Sequence, residues 1–244
     1  MNIPILRLGE TYESFDHVEL DLGNGETLTT HTANPGLIRR DLLQIAKAKA
    51  ALDAISAETL ADYCESAAEL FLHADLPCGT QEGSEGFQPS TGTSRRQDAF
   101  APLLQSPQDY IESLSALTRL PHTLVRMNMG KIHAAMSEIR TVIGGLTRNL
   151  PLEIFDKGLT RIGHGPRASA RPGESDLTIN YFPAANSLGV SLPSNAPAVN
   201  SLWIPAPVMK IPVFLKPGRE GPFTPLRIVQ AMIQAGFPKE AFGY

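Results

Sequence analysis

Clustered positive charge, paired cysteines and long apolar runs are all missing from this sequence, and each absence closes off a class of function. The 244 residues carry 21 Lys and Arg against 25 Asp and Glu, a formal net charge of −4. The basic residues are scattered, with Arg39-Arg40 and Arg95-Arg96 as isolated pairs, so no nucleic-acid or anionic-membrane surface is expected. Only two cysteines occur, Cys64 and Cys78, and they read as reduced thiols of a cytoplasmic protein. The six histidines (His17, His31, His73, His122, His133, His164) show no paired ligand spacing, so no metal is expected. No apolar run reaches membrane-spanning length, and Met1 to Arg7 is too short in apolar residues for a signal peptide. What remains is a globular composition, 42% hydrophobic and 19% charged, long enough for one large domain or two small ones.

The most informative stretch runs from Leu188 to Tyr244, which reads strand, helix, strand, helix. Leu188 to Leu192 is a short apolar run stopped by Pro193, as a buried strand would be. Ala198 to Met209 suits a buried helix that Pro205 and Pro207 kink or shorten. Ile211 to Leu215 is a second buried-strand run, stopped by Lys216-Pro217-Gly218. In the last helix Thr224 is the expected N-cap and Pro225 the first helical residue, with Leu226, Val229 and Ile233 on one face. Gly236 and Pro238 end it. Strands alternating with helices predict an α/β chain with a parallel, doubly wound sheet.

Upstream, His17 to Thr30 reads as a hairpin turning at Asn24-Gly25. Helices are predicted over Pro35 to Ala54, from the Ser56 cap to about Leu72, from Ser106-Pro107 to about Leu120, and from Pro121 to about Leu146. Cys64 falls on an inward face. In the last helix Ile132, Ala135, Met136, Ile139, Val142, Ile143 and Leu146 form one apolar stripe. Ala74 to Arg95, which holds Cys78 and a Gly/Ser-rich run, reads as a polar loop with a loop thiol. Gly158 to Glu174, with Gly163-His164-Gly165, reads as a second irregular stretch. Leu177 to Phe182 is a strand candidate.

The C-terminal stretch resembles the aldehyde dehydrogenase superfamily. The residues that carry the resemblance are Gly189-Val190, then Leu192 to Pro197 (Leu-Pro-Ser-Asn-Ala-Pro), then Val213 to Gly218 (Val-Phe-Leu-Lys-Pro-Gly). Pro222 to Pro225 and Ala235 to Pro238 complete the series, in one order. The resemblance implies a Rossmann-like nucleotide-binding part at residues 177–244, in truncated form. Residues 1–176 are then a helical region with an N-terminal hairpin, packed on that sheet. It implies NAD or NADP as cofactor and a small-molecule aldehyde as substrate, oxidised to the acid through a thiohemiacetal. It also implies a homo-oligomer in the full-length form. Asn195 matches the oxyanion donor; read from the residues alone it is first a helix cap. Lys216 matches the lysine that hydrogen-bonds the cofactor ribose, and Leu192 and Pro193 match backbone positions lining the cofactor cleft.

There are departures. Arg219 stands where NAD-preferring members usually carry a glutamate, with Glu220 displaced by one, and an arginine there suits a 2′-phosphate. Ser194 stands where the turn usually has tryptophan. The family's nucleophilic cysteine and base glutamate fall beyond Tyr244, and neither Cys64 nor Cys78 matches the nucleophile's context. Two alternatives stay open: a catalytically inactive truncated paralogue acting by association, and a relative of CoA-acylating aldehyde dehydrogenases.

Overall fold

A computed structural model describes residues 1–23, 25–80, 102–157, 159–163, 176–181 and 183–244. Five short strands come first: β1 (Asn2–Ile3), β2 (Ile5–Arg7), β3 (Glu10–Tyr12), β4 (His17–Asp21) and β5 (Thr27–His31). The expected hairpin is β4–β5, paired antiparallel with Leu20 opposite Leu28. Its loop is longer than a two-residue turn, closing where the Leu22 N–H donates to the Glu26 carbonyl at 3.0 Å. Asn24 lies outside the described residues.

The predicted helix over Pro35 to Ala54 is two: α1 (Pro35–Leu42), capped by Asn34 Oδ1, and α2 (Ile45–Asp53). Next, α3 (Ala57–His73) starts as predicted at Ser56, whose hydroxyl accepts from Thr59 N–H. Its buried residues Ala57, Leu60, Ala61, Cys64, Ala67, Ala68 and Phe71 recur at helical spacing. Most are small, which lets neighbouring helices approach closely along this face.

The segment Leu76–Thr80, expected as the start of a polar loop, is strand β6, paired antiparallel with β1 and with β7 (Pro102–Gln105). Tertiary pairing overrides the local Pro77 and Gly79 signals, and Cys78 is buried in this strand. The remainder of the predicted loop, from Gln81 to Arg95, lies outside the described residues. These strands form one sheet in the order β4-β5-β1-β6-β7.

Helix α4 (Pro107–Thr118) opens on a full capping box between Ser106 and Asp109. The predicted helix from Pro121 is divided at Glu138 into α5 (His122–Ser137) and α6 (Ile139–Thr147). That break turns the stripe: Ile132, Met136, Ile139 and Ile143 stay buried, but Val142 and Leu146 are exposed. It also brings Arg140 onto α3, where it pairs with Glu58, Asp62 and Glu65. A one-turn helix α7 (Ile154–Lys157) precedes an antiparallel ribbon, β8 (Leu159–Gly163) with β9 (Asp176–Asn180). The start of the predicted irregular stretch is thus a strand, because β9 pairs with it; His164 lies outside the described residues.

The C-terminal part is β10 (Leu188–Ser191), a 3-10 segment (Pro197–Leu202), α8 (Pro205–Val208), β11 (Val213–Lys216), α9 (Phe223–Ala235) and β12 (Phe242–Gly243). The prolines reduce the predicted second helix to the 3-10 segment and one α-turn. The three strands form a parallel sheet, β10-β11-β12. β10 is more exposed than a buried strand, with Leu188 39% accessible, because it stands at the sheet edge. The other edge is covered: Leu6 and Tyr244 exchange two backbone hydrogen bonds of 2.9 Å, so the β2–β3 ribbon flanks β12.

Helix α9 is buried almost all round and runs along α3. Pro222, not Thr224, is its N-cap residue; the buried Thr224 hydroxyl instead meets the Tyr110 hydroxyl at 2.8 Å. Gly236 ends the helix at φ +123°, where a Cβ would press within 2.9 Å of the Tyr63 ring.

The most demanding residue of α9 is Arg227. Its guanidinium is buried and donates to three backbone carbonyls: Phe71 at 2.9 Å, Gln105 at 2.9 Å and Ala74 at 2.7 Å. The rings of Phe71 and Tyr110 lie against it, 5.8 and 5.6 Å from centroid to charge. A lysine has one point donor group and cannot span the three acceptors. Arg227→Lys is expected to lower unfolding free energy by about 3 kcal/mol, in the range for charged hydrogen bonds and stranded buried acceptors. Urea denaturation checks this, and a loss near zero would show that the guanidinium anchors nothing.

Candidate functional site

Parallel pairing aligns β10 and β11 residue by residue, with Ser191 opposite Lys216. One further bond, Leu192 N–H to the Lys216 carbonyl at 2.9 Å, carries the register past the strand end. Two turns therefore leave the sheet side by side at its carboxyl edge: Pro193 to Ala196 after β10, and Pro217 to Pro222 after β11. This is the edge at which open α/β sheets bind ligands.

A cleft of about 940 Å³ lies between this sheet and the β4–β5 hairpin. Val190, Leu192 and Phe214 line it from the sheet, Val18 and Thr30 from the hairpin, and Ile38 from α1. Its charged lining is Arg7, Asp41, Lys216 and Arg219. Arg7 and Asp41 neutralise each other, with Nη2 and Oδ1 2.5 Å apart. Lys216 and Arg219 are exposed and make no ion pair among the described residues. One end of a mainly apolar cleft thus carries two open cations. The hairpin wall adds two buried polar atoms without a hydrogen-bond partner among the described residues, Thr30 Oγ1 and His31 Nε2.

Of the sequence-predicted residues, Leu192, Lys216 and Arg219 come together on the cleft. Pro193 and Asn195 do not line it; both are exposed in the adjoining turn. The helix-cap reading of Asn195 does not hold, since the cap position of the 3-10 segment is Ala196 and no side chain caps it. Sequence reasoning missed the Arg7–Asp41 pair, whose members are 34 residues apart with no shared motif.

The chain has the shape of a piece of a known enzyme architecture. Against an aldehyde dehydrogenase from Brucella melitensis biovar abortus 2308 the TM-score is 0.66 at 14% identity, over 98% of this chain and 41% of that one. The fold is that of the aldehyde dehydrogenases. The match is to the N-terminal Rossmann-like region of that fold. A putative aldehyde dehydrogenase from Burkholderia cenocepacia gives 0.65 at 17% identity, over 100% and 41%. An NADP-dependent glyceraldehyde-3-phosphate dehydrogenase from Bacillus halodurans C-125, solved with NADP, gives 0.64 at 15%, over 100% and 43%. The chain therefore spans about two-fifths of the length of these aldehyde dehydrogenase-fold structures. No protein-family model and no curated protein matches the sequence. Among the described residues no helix is long and apolar enough to cross a membrane.

Neither cysteine belongs to the cleft. Cys64 is fully buried on α3 and Cys78 is 4% accessible in β6; both are free. Burial pushes both thiols up, Cys78 to about 12. In the native protein at pH 8, neither thiol should react with a disulfide reagent over minutes, and both should react once the chain is unfolded. Each would bind fewer protons unfolded than folded above about pH 8.5, so their contribution to stability falls as pH rises through that window. Prompt native reaction of one thiol would show that its wall opens.

Proposed function

We propose that this chain forms the first part of the cofactor-binding unit of an NAD(P)-dependent aldehyde dehydrogenase. The observation that carries this reading is the pair of open cations, Lys216 and Arg219, beside an apolar cleft at the carboxyl edge of a parallel sheet. The cleft volume lies within the usual range for small-molecule sites, roughly 300–1,000 Å³. The residues fit the adenosine-ribose end of a dinucleotide: an ammonium for ribose hydroxyls, a guanidinium for a 2′-substituent, and unpartnered polar atoms on the facing wall.

In this reading Leu192 packs the ribose side of the cleft and Pro193 shapes the turn above it. Lys216 orients the ribose, Arg219 reads the 2′ position, and Asn195 donates its amide to the oxyanion formed when a thiolate adds to the aldehyde. A bound nicotinamide supplies the hydride acceptor. The thiolate comes from outside these 244 residues, because Cys64 and Cys78 are sealed in the core. Residues 1–176 wrap the sheet and 177–244 supply its first strands, supported by one hydrophobic cluster that joins the two parts. The β8–β9 ribbon, which pairs with neither larger sheet, is the proposed oligomerisation element of the full-length, cytoplasmic enzyme.

Calorimetric titration of the purified chain with NAD and NADP tests the assignment. Lys216→Ala should weaken binding about tenfold, as expected for one charge-assisted hydrogen bond. Absence of binding by the wild-type chain would remove the reading. The same chain should show no aldehyde oxidation with either cofactor, since loss of a nucleophile removes many powers of ten in rate. Turnover abolished by Cys64→Ala or Cys78→Ala would contradict the proposal.

A further inference from the structure

Arg219 and Glu220 are the two central residues of one tight turn, closed by the Gly221 N–H donating to the Gly218 carbonyl at 3.0 Å. Adjacent and of opposite charge, they compete for the same end of the cleft. Arg219 lines it and Glu220 does not. The central amide of such a turn has no partner within the turn. Here the Glu220 N–H donates to the Ser194 hydroxyl oxygen at 3.1 Å, across from the turn that follows β10. The nearby Ser194 hydroxyl also favours the charged form of the Glu220 carboxyl, holding it below its ordinary range with a smaller pull from Arg219. Ser194 therefore holds the Glu220 backbone by a direct hydrogen bond and acts on its side chain as well.

Two glycines make room for this grip. A Cβ on Gly218 would sit 2.5 Å from the Ser194 nitrogen, closer than real contacts allow, and one on Gly221 would sit 3.2 Å from the Ser194 Cα. Only at these close approaches can a side chain as short as serine span the two turns.

We propose that Ser194 is a specificity-determining positioning residue: by clasping Glu220 outside the cleft it leaves Arg219 as the side chain that reads the 2′ position, favouring a 2′-phosphate. This deepens the cofactor reading above and rests on it. A 2′-phosphate carries about −1.5 to −2 charges near neutral pH. It pairs with a guanidinium and is repelled by a carboxylate, so the position of Glu220 decides the sign of the local interaction. Release of Glu220 would let it swing toward the same ribose and prefer a free hydroxyl.

The test uses the 244-residue chain, with adenosine 2′,5′-bisphosphate and 5′-AMP as probes, in calorimetric titrations of wild type, Ser194→Ala, Ser194→Thr and Arg219→Glu. The Glu220 carboxyl is followed by NMR pH titration in the same variants, each checked for native fold by circular dichroism. The wild type should prefer the bisphosphate by about tenfold or more, a ratio that one charge-assisted contact supplies. Ser194→Ala should reduce that ratio about three- to tenfold through its effect on the bisphosphate, and Glu220 should titrate at higher pH. Ser194→Thr, which keeps the hydroxyl, should restore both readouts. Arg219→Glu should abolish the preference. A Glu220 titration that does not move in Ser194→Ala would show that the clasp is absent. A titration that moves while the binding ratio stays fixed would overturn the inference and leave the cofactor reading standing. Failure of the wild type to bind either nucleotide would overturn the cofactor reading and the inference with it.

Discussion

The structure hangs on a cation placed where cations are costly. Arg227 sits inside, with burial pulling its guanidinium below its ordinary range. What compensates is geometry: α3 ends beside it, and the carbonyls of Phe71 and Ala74 have no intrahelical partners to lose. The negative end of the helix faces the positive fork of the side chain. A third carbonyl, from Gln105, ties in the strand that precedes α4. One side chain thus fixes α9, α3 and β7 relative to each other. Because α9 connects β11 to β12, the same side chain sets where the parallel sheet lies against the helical layer.

The cleft is a consequence of that placement. With α9 fixed against α3, one face of the sheet is packed and the other looks toward the β4–β5 hairpin. Parallel sheets are ordinarily covered on both faces. Here the uncovered face carries Val190 and Phe214 beside Lys216 and Arg219, which gives apolar walls and a cationic end without any dedicated loop.

What could be read from the sequence follows the range of the forces involved. Ser56 and Ser106 announce their helices because a cap and a helical period are local, and the β10, β11 and α9 runs were legible for the same reason. Leu76 to Thr80 was not, since its strand identity is imposed by β1 and β7 against unfavourable Pro77 and Gly79. Thr224 looked like a cap until Tyr110, distant in sequence, claimed its hydroxyl. Glu138 carries no proline or glycine signal, yet the break there reorients half of the apolar stripe. At the candidate site, Leu192, Lys216 and Arg219 line one cleft, and it is the resemblance of their local motifs, not periodicity, that singles them out in the sequence. The adjoining Asn195 and Pro193 are exposed and do not line the cleft, and the hold of Ser194 on Glu220 needs two turns that only the sheet brings together.

The reciprocal bonds between Leu6 and Tyr244 have a bearing on how the chain is made. During synthesis the β2–β3 ribbon emerges long before the strand it flanks. At roughly 5–20 residues per second, the ribbon waits on the order of ten to fifty seconds for that partner. Over that interval Ile5 and Leu6, buried in the finished structure, have only transient cover. The ribbon is thus made early and placed late, and its apolar residues wait on a partner more than two hundred residues downstream.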